Sequence, residues 1–140
     1  MTDDKTTSKL VGASPEELAA AIVNILYEKK AHDIKLLRVT DQTIIADYFV
    51  IATGTSNTQI KALADELEYK TGLDGVKPSS TEGFREATWI VLDYASVIVH
   101  IFNRETREFY NLEKLWGDSE SVDVSKYIKR TETEEGSENE

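Results

Sequence analysis

Residues 88–102 read TWIVLDYASVIVHIF, and the pattern of this stretch decides the fold. Two β-branched and aromatic runs, Thr88 to Tyr94 and Val97 to Phe102, flank a brief Ala95-Ser96 break, which predicts an antiparallel hairpin. With a loop of two or four residues, Trp89 lies opposite Phe102, Val91 opposite His100 and Asp93 opposite Ile98 on one face. Ile90, Leu92 and Tyr94 then meet Ile101, Val99 and Val97 on the other. This second face is apolar throughout, and at roughly 1.5–3 kcal/mol for each fully buried aliphatic side chain it must turn to the core. The first face mixes Trp, Asp and His with Val, Ile and Phe, as expected of a surface covered by another element or by a partner chain.

Outward from the hairpin, Asp47 to Thr53 (DYFVIAT) has no polar alternation after Tyr48 and reads as a central strand buried on both faces. A short β-type run precedes it between Ile34 and Val39. Ser14-Pro15-Glu16-Glu17 combines an N-cap hydroxyl, a proline at the first helical position and a Glu that closes a capping box. It predicts a helix to about Lys30, with Leu18, Ile22, Ile25 and Leu26 on one stripe. Ser56 to Gln59 is a second capping box, opening a helix whose Ile60, Leu63, Ala64 and Leu67 face the sheet and whose left-handed C-cap is Gly72. Leu73 to Gly83 reads as loop with a short edge strand near Val76 to Ser79. Arg104 to Tyr110 and Leu112 to Trp116 read as short helical turns that place Phe109, Leu112, Leu115 and Trp116 near the sheet. Residues 1–13 are expected to be a flexible arm, and order is expected to fade beyond Gly117. There Val122, Val124, Tyr127 and Ile128 dock weakly, and Thr131 to Glu140 holds five acids and no apolar side chain.

A length of 140 residues with 40% hydrophobic and 30% charged residues suits one compact domain. No run approaches the roughly 18 apolar residues of a membrane span, and the first residues have no apolar signal core, so a cytoplasmic protein without membrane contact is expected. Zero Cys excludes disulfides, thiolate nucleophiles and Cys-ligated metal, and two isolated His cannot build a His-rich zinc site. The net charge of -10 is divided evenly between residues 1–116 and the acidic end, so the body is acidic too. Such a surface opposes phosphate backbones and favours basic or apolar partners, with little direct nucleic-acid contact.

Gly54-Thr55-Ser56, between strand and helix, could present amides to a phosphate, but the same residues are ordinary capping. A metal-dependent phosphoryl transferase needs convergent carboxylates, and the strand that would carry a D-x-D pair has only Asp93, with Val91 and Ala95 at the flanking positions. His100 near Asp93 suggests a base with its orienting acid, yet no nucleophile accompanies them, and a half-buried structural His is the plainer reading. Asp47 and Glu82 read as cap or turn acids. Trp89, Phe102, Tyr110 and Trp116 form either a satellite core or, with Arg104 and Arg107, a protein-binding surface; the Arg residues could instead pair with Glu105, Glu108 or Glu113.

Several blocks in order resemble the ribosomal silencing factor family, also called Iojap-like proteins. They are Ala46 to Ser56 (ADYFVIATGTS), Glu82-Gly83, Trp89 to Asp93 (WIVLD), Val97 to Phe102 (VIVHIF), and Arg107 with Tyr110 through Leu112-Glu113 to Trp116. The resemblance covers about residues 14–117 and leaves 118–140 as an acidic, largely disordered tail. It implies an α/β fold with a mixed β-sheet of about five strands flanked by helices, nucleotidyltransferase-like without the catalytic carboxylates. It also implies a translation repressor without enzyme activity, cofactor or metal. Such a protein binds the large ribosomal subunit through the basic large-ribosomal-subunit protein fourteen and blocks joining of the small subunit, slowing initiation when nutrients are short. The family's contact surface maps onto Trp89, Asp93, His100, Arg107, Tyr110, Glu113 and Trp116. Homodimers formed through much of the same surface would compete with ribosome binding. The family's hairpin turn commonly has Gly-Asp where this chain has Ala95-Ser96, which leaves the turn type and register open. The alternative classes are a nucleotide-binding or nucleotidyltransferase-like enzyme using the Gly54 to Gln59 turn, and a homodimeric adaptor without ribosome contact.

Overall fold

The computed structural model describes residues 9–128. Helix α1 (Pro15–Glu28) begins at the expected capping box, in which the Glu17 amide donates to Ser14 Oγ at 3.1 Å and the Ser14 amide to Glu17 Oε1 at 2.9 Å. Strand β1 (His32–Arg38) runs antiparallel to β2 (Tyr48–Thr53), with a register irregularity between His32 and Lys35. All six residues of β2 are buried, as an unalternating apolar run requires. Helix α2 (Asn57–Leu73) crosses to β3 (Ser80–Glu82), followed by β4 (Trp89–Asp93), β5 (Val97–Phe102), α3 (Arg104–Tyr110), α4 (Leu112–Leu115) and β6 (Glu120–Val122). The strand order is β3-β4-β5-β2-β1-β6, with β2 and β5 parallel and every other pair antiparallel. Both edge strands are three residues long, which limits the unpaired backbone they offer.

The hairpin register agrees with the alternation: Trp89 pairs with Phe102, Val91 with His100 and Asp93 with Ile98. Its apolar face packs under α1 and α2, where Ile90, Leu92, Val99 and Ile101 meet Ile22, Leu26, Ile60, Leu63 and Leu67. The opposite face carries a smaller cluster of Leu37, Val39, Phe49, Ile51, Phe102 and Leu112.

Five expectations need correction. The sheet has six strands among the described residues, because order does not fade at Gly117: β6 pairs with β1, Leu36 opposite Val122. Val122, Val124, Tyr127 and Ile128 then pack on the larger core, and residues 129–140 lie outside the described residues. Gly72 is inside α2, and the left-handed turn falls at Gly75 (φ 93°) because the helix runs on to Leu73. The edge strand is Ser80–Glu82, beyond Val76 to Ser79, since Pro78 lacks the amide a ladder uses. Part of the presumed arm is anchored, with Leu10 buried and its amide bonded to the Asp74 carbonyl at 3.1 Å; residues 1–8 lie outside the described residues. Finally, Phe109 (79% exposed) and Leu115 (72%) face solvent, so α3 meets the second face through Tyr110 against Trp89, and α4 through Leu112 and the Trp116 that follows it.

Candidate docking face

The second face of the sheet is only partly covered. Leu112 and Trp116 lie over Leu37, Phe49 and Ile51, while Trp89, Val91, Asp93 and Ile98 stay half-buried along β4 and the start of β5. Trp89 is set in place by the turn before it. Gly83 sits at φ 85°, and a Cβ there would lie 2.1 Å from the Trp89 carbonyl oxygen, so only glycine allows that approach. The Trp89 ring packs on Phe102 at 4.8 Å between centroids and on Tyr110 at 4.7 Å, and its indole N–H donates to His100 Nδ1 at 3.1 Å. Phe49 joins the row edge-on to His100 (5.3 Å) and to Trp116 (5.1 Å). Aromatic pairs in these tilted and edge-to-face geometries add to their area burial.

His100 is buried, and burial pushes its pKa down from the usual 6.5 to about 4. It is a neutral ring near pH 7. With Nδ1 accepting from Trp89, the ring proton sits on Nε2, which is buried without a hydrogen-bond partner. Asp93 does not orient it. Asp93 Oδ1 accepts from the Ala95 amide at 2.7 Å and shapes the turn, where Ala95 adopts φ 74° and the Ser96 amide donates to the Tyr94 carbonyl at 2.9 Å. The Ala95-Ser96 departure therefore leaves the register intact. The structural reading of His100 holds, and the base-plus-acid reading is set aside.

Arg107 is buried and faces inward. Its Nε and Nη2 donate to Glu113 Oε2 at 3.0 and 2.7 Å, and its Nη1 donates to the Asp33 carbonyl at 2.8 Å and to Thr53 Oγ1 at 2.6 Å. One guanidinium thus ties α3 to β1, β2 and α4. Asn111 completes the joint. In the left-handed conformation (φ 49°, ψ 60°) it closes α3 with its amide on the Arg107 carbonyl, and its side chain caps α4 by accepting from the Lys114 amide. The seven residues singled out for contact therefore divide. Trp89, Tyr110, Asp93 and Trp116 lie partly or largely open on or beside the face, His100 lies beneath it, and the Arg107–Glu113 bridge supports it.

The Gly54 to Gln59 turn is committed internally. The Gln59 amide donates to Ser56 Oγ at 3.0 Å, and Gln59 Oε1 accepts from the Thr55 amide at 2.5 Å and the Thr55 hydroxyl at 3.0 Å. The second capping box is thus half formed, its Gln reaching Thr55 in place of Ser56. Gly54 is required by packing, since a Cβ there would lie 2.6 Å from Ile60 Cγ1. Among the described residues no group of His, Cys, Asp or Glu is placed to hold a metal ion, and no helix is long and apolar enough to cross a membrane.

Sequence reasoning missed Ile44 and Ile45, which lie in the β1–β2 connection with exposures of 102% and 60%. The available signal was an apolar pair next to a Thr-Asp-Gln-Thr turn, outside any strand or helix period.

Residues 12–140 match the family model described as ribosomal silencing factor during starvation. A relative from Halalkalibacterium halodurans, ribosomal silencing factor RsfS, is 37% identical over 115 residues, covering 82% of this chain and 98% of its own. A mouse relative, mitochondrial assembly of ribosomal large subunit protein 1, is 36% identical over 98 residues, covering 68% of this chain and 43% of its own. A crystal structure of a Chromobacterium violaceum protein superposes with a TM-score of 0.72 at 32% identity, covering 74% of this chain and 87% of that one.

Proposed function

The chain belongs to the ribosomal silencing factor family, and from that membership we propose that it represses translation by docking on the large ribosomal subunit and sterically blocking the small one. The reading is carried by the half-open β4–β5 strip, an apolar surface centred on Trp89 and bordered by Tyr110, Trp116 and Asp93. Aromatic anchors of this kind dominate binding energy when they fill a partner's pocket. The acidic body selects the partner's charge: with a net charge of -10 the protein is repelled by ribosomal RNA and attracted to a basic ribosomal protein. We assign that role to large-ribosomal-subunit protein fourteen. A domain with a radius of gyration of roughly 14 Å is bulky enough to obstruct a close interface between subunits.

No catalytic step is needed. The internal bonding of the Gly54 to Gln59 turn supports a non-enzymatic role, and the absence of a long apolar helix among the described residues suits action in the cytoplasm. The same strip would serve a second copy of the chain, so self-association and subunit binding would exclude each other.

Sedimentation with purified large subunits tests the reading. The wild-type chain should comigrate with them and prevent addition of small subunits. Trp89→Ala and Tyr110→Ala, checked for retained fold, should weaken binding, the first by on the order of 2 kcal/mol or more. A wild-type chain that ignores large subunits, or that binds equally well without Trp89 and Tyr110, would refute this assignment.

A further inference from the structure

The geometry points to the Ile44–Ile45 loop as a second apolar anchor for the same partner, seating a cationic segment of the basic ribosomal protein in the groove between this loop and the hairpin turn. This inference rests on the docking role proposed above and extends its surface beyond the strip.

The loop is built, and its two isoleucines are left outside. At its base the Gln42 and Thr43 amides donate to the Val39 carbonyl at 2.9 and 3.1 Å, and Thr40 Oγ1 donates to Asp47 Oδ1 at 3.2 Å. The Ile45 amide donates to Thr43 Oγ1 at 3.2 Å, while Ala46 is buried as the loop's anchor. The Asp47 and Tyr48 amides donate to the Ser96 carbonyl at 2.8 and 3.1 Å, which fastens the loop to the turn that ends β4. Ile44 is fully exposed and Ile45 mostly so, on a backbone held at both ends. Single exposed apolar residues need no explanation, but two adjacent ones on an internally bonded loop do. Both are β-branched and stiff at χ1, so docking them restricts little further rotamer freedom.

Charge identifies the occupant. The groove, about 580 Å³, is bounded by Ile44, Ile45, Asp47, Asp93 and the Ala95-Ser96 turn, so its apolar wall faces carboxylates. Asp47 and Asp93 each use Oδ1 in the bonds already described. A segment in which Lys or Arg flanks an aliphatic or aromatic side chain matches both features, its cation beside the carboxylates and its apolar group against the isoleucines. Asp93 also ends the β4 row of the strip, so one partner could cover strip and groove together.

The test compares the full-length wild type, Ile44→Ser/Ile45→Ser and Trp89→Ala for affinity to purified large subunits, with self-association measured in parallel. Tyr110→Ala replaces Trp89→Ala if the latter unfolds. The loop variant should bind at least tenfold more weakly with a nearly unchanged unfolding midpoint, because Ile44 is fully exposed and Ile45 mostly so. If it binds like the wild type while Trp89→Ala is weakened, the loop is outside the interface and the inference fails with the docking reading intact. If the loop variant loses only self-association, the groove belongs to a second copy and the inference is overturned. If the wild type does not bind large subunits at all, the docking reading itself fails and takes the inference with it.

Discussion

His100 is neutral because Phe49, Phe102 and Trp89 surround it and no carboxylate bonds to it, so burial disfavours the imidazolium. Protonation would also make Nδ1 a donor and break the bond from the Trp89 indole. Between pH 6.5 and about 4 the unfolded chain therefore binds a proton that the folded chain does not. Stability from this site is fully present above pH 6.5 and falls as the pH drops through that window, by about 3 kcal/mol at pH 4. Urea unfolding at several pH values should show this loss, and His100→Phe should remove it from the profile while the carboxylate contributions remain. The variant also eliminates the unpaired Nε2–H, whose burial costs roughly 1–3 kcal/mol.

At the scale of elements, one buried side chain, Arg107, braces the joint between α3 and α4 against β1 and β2. Replacing Arg107 with Ala would leave Glu113, Thr53 Oγ1 and the Asp33 carbonyl without their donor, a loss of about 3 kcal/mol for a largely buried bridge. Arg107→Lys should recover little, since an ammonium cannot reproduce the planar fork. Chemical denaturation reads the stability loss, and subunit binding should fall with it as α3 ceases to present Tyr110. This bridge also marks a limit of the sequence. The pairing with Glu113 was legible, but an Arg among Glu residues on a short amphipathic segment looks like a solvated helix face, whereas this one is buried and its further acceptors at Asp33 and Thr53 are distant in the chain. The β4–β5 register was readable because strand alternation is local and strict, and so were the caps at Ser14 and Ser56, each a contact within three residues. Gly75 replaced Gly72 because two glycines near one helix end satisfy the same rule and only packing selects between them. Within the candidate site, Trp89 and Tyr110 could be anticipated as a pair, whereas the outward turn of Phe109 and Leu115 depends on the bend at Asn111.

For the molecule as a whole, the C-terminal segment belongs to the fold. Glu120–Val122 shields the β1 edge, and Tyr127 donates its hydroxyl to Glu16 Oε2 at 2.5 Å, joining the segment to the first turn of α1. Acidic residues around a three-residue strand hid it, because neither length nor period rises above that of a loop. Ending the chain at Gly117 should therefore destabilise it by about 3 kcal/mol, from the partial burial lost at Val122, Val124, Tyr127 and Ile128. A lowered thermal midpoint would register this, and an unchanged one would show the segment to be dispensable.

The parallel pairing of β2 with β5 sets when the molecule becomes competent. Tyr48 has no neighbour on that side until Val97 exists, and the aromatic row is incomplete until Trp116 follows. A nascent chain thus carries only fragments of the proposed docking surface until residue 116 has been made. For a protein whose proposed target is a ribosomal subunit, this order of assembly means that no fragment ending before Trp116 presents the complete docking face.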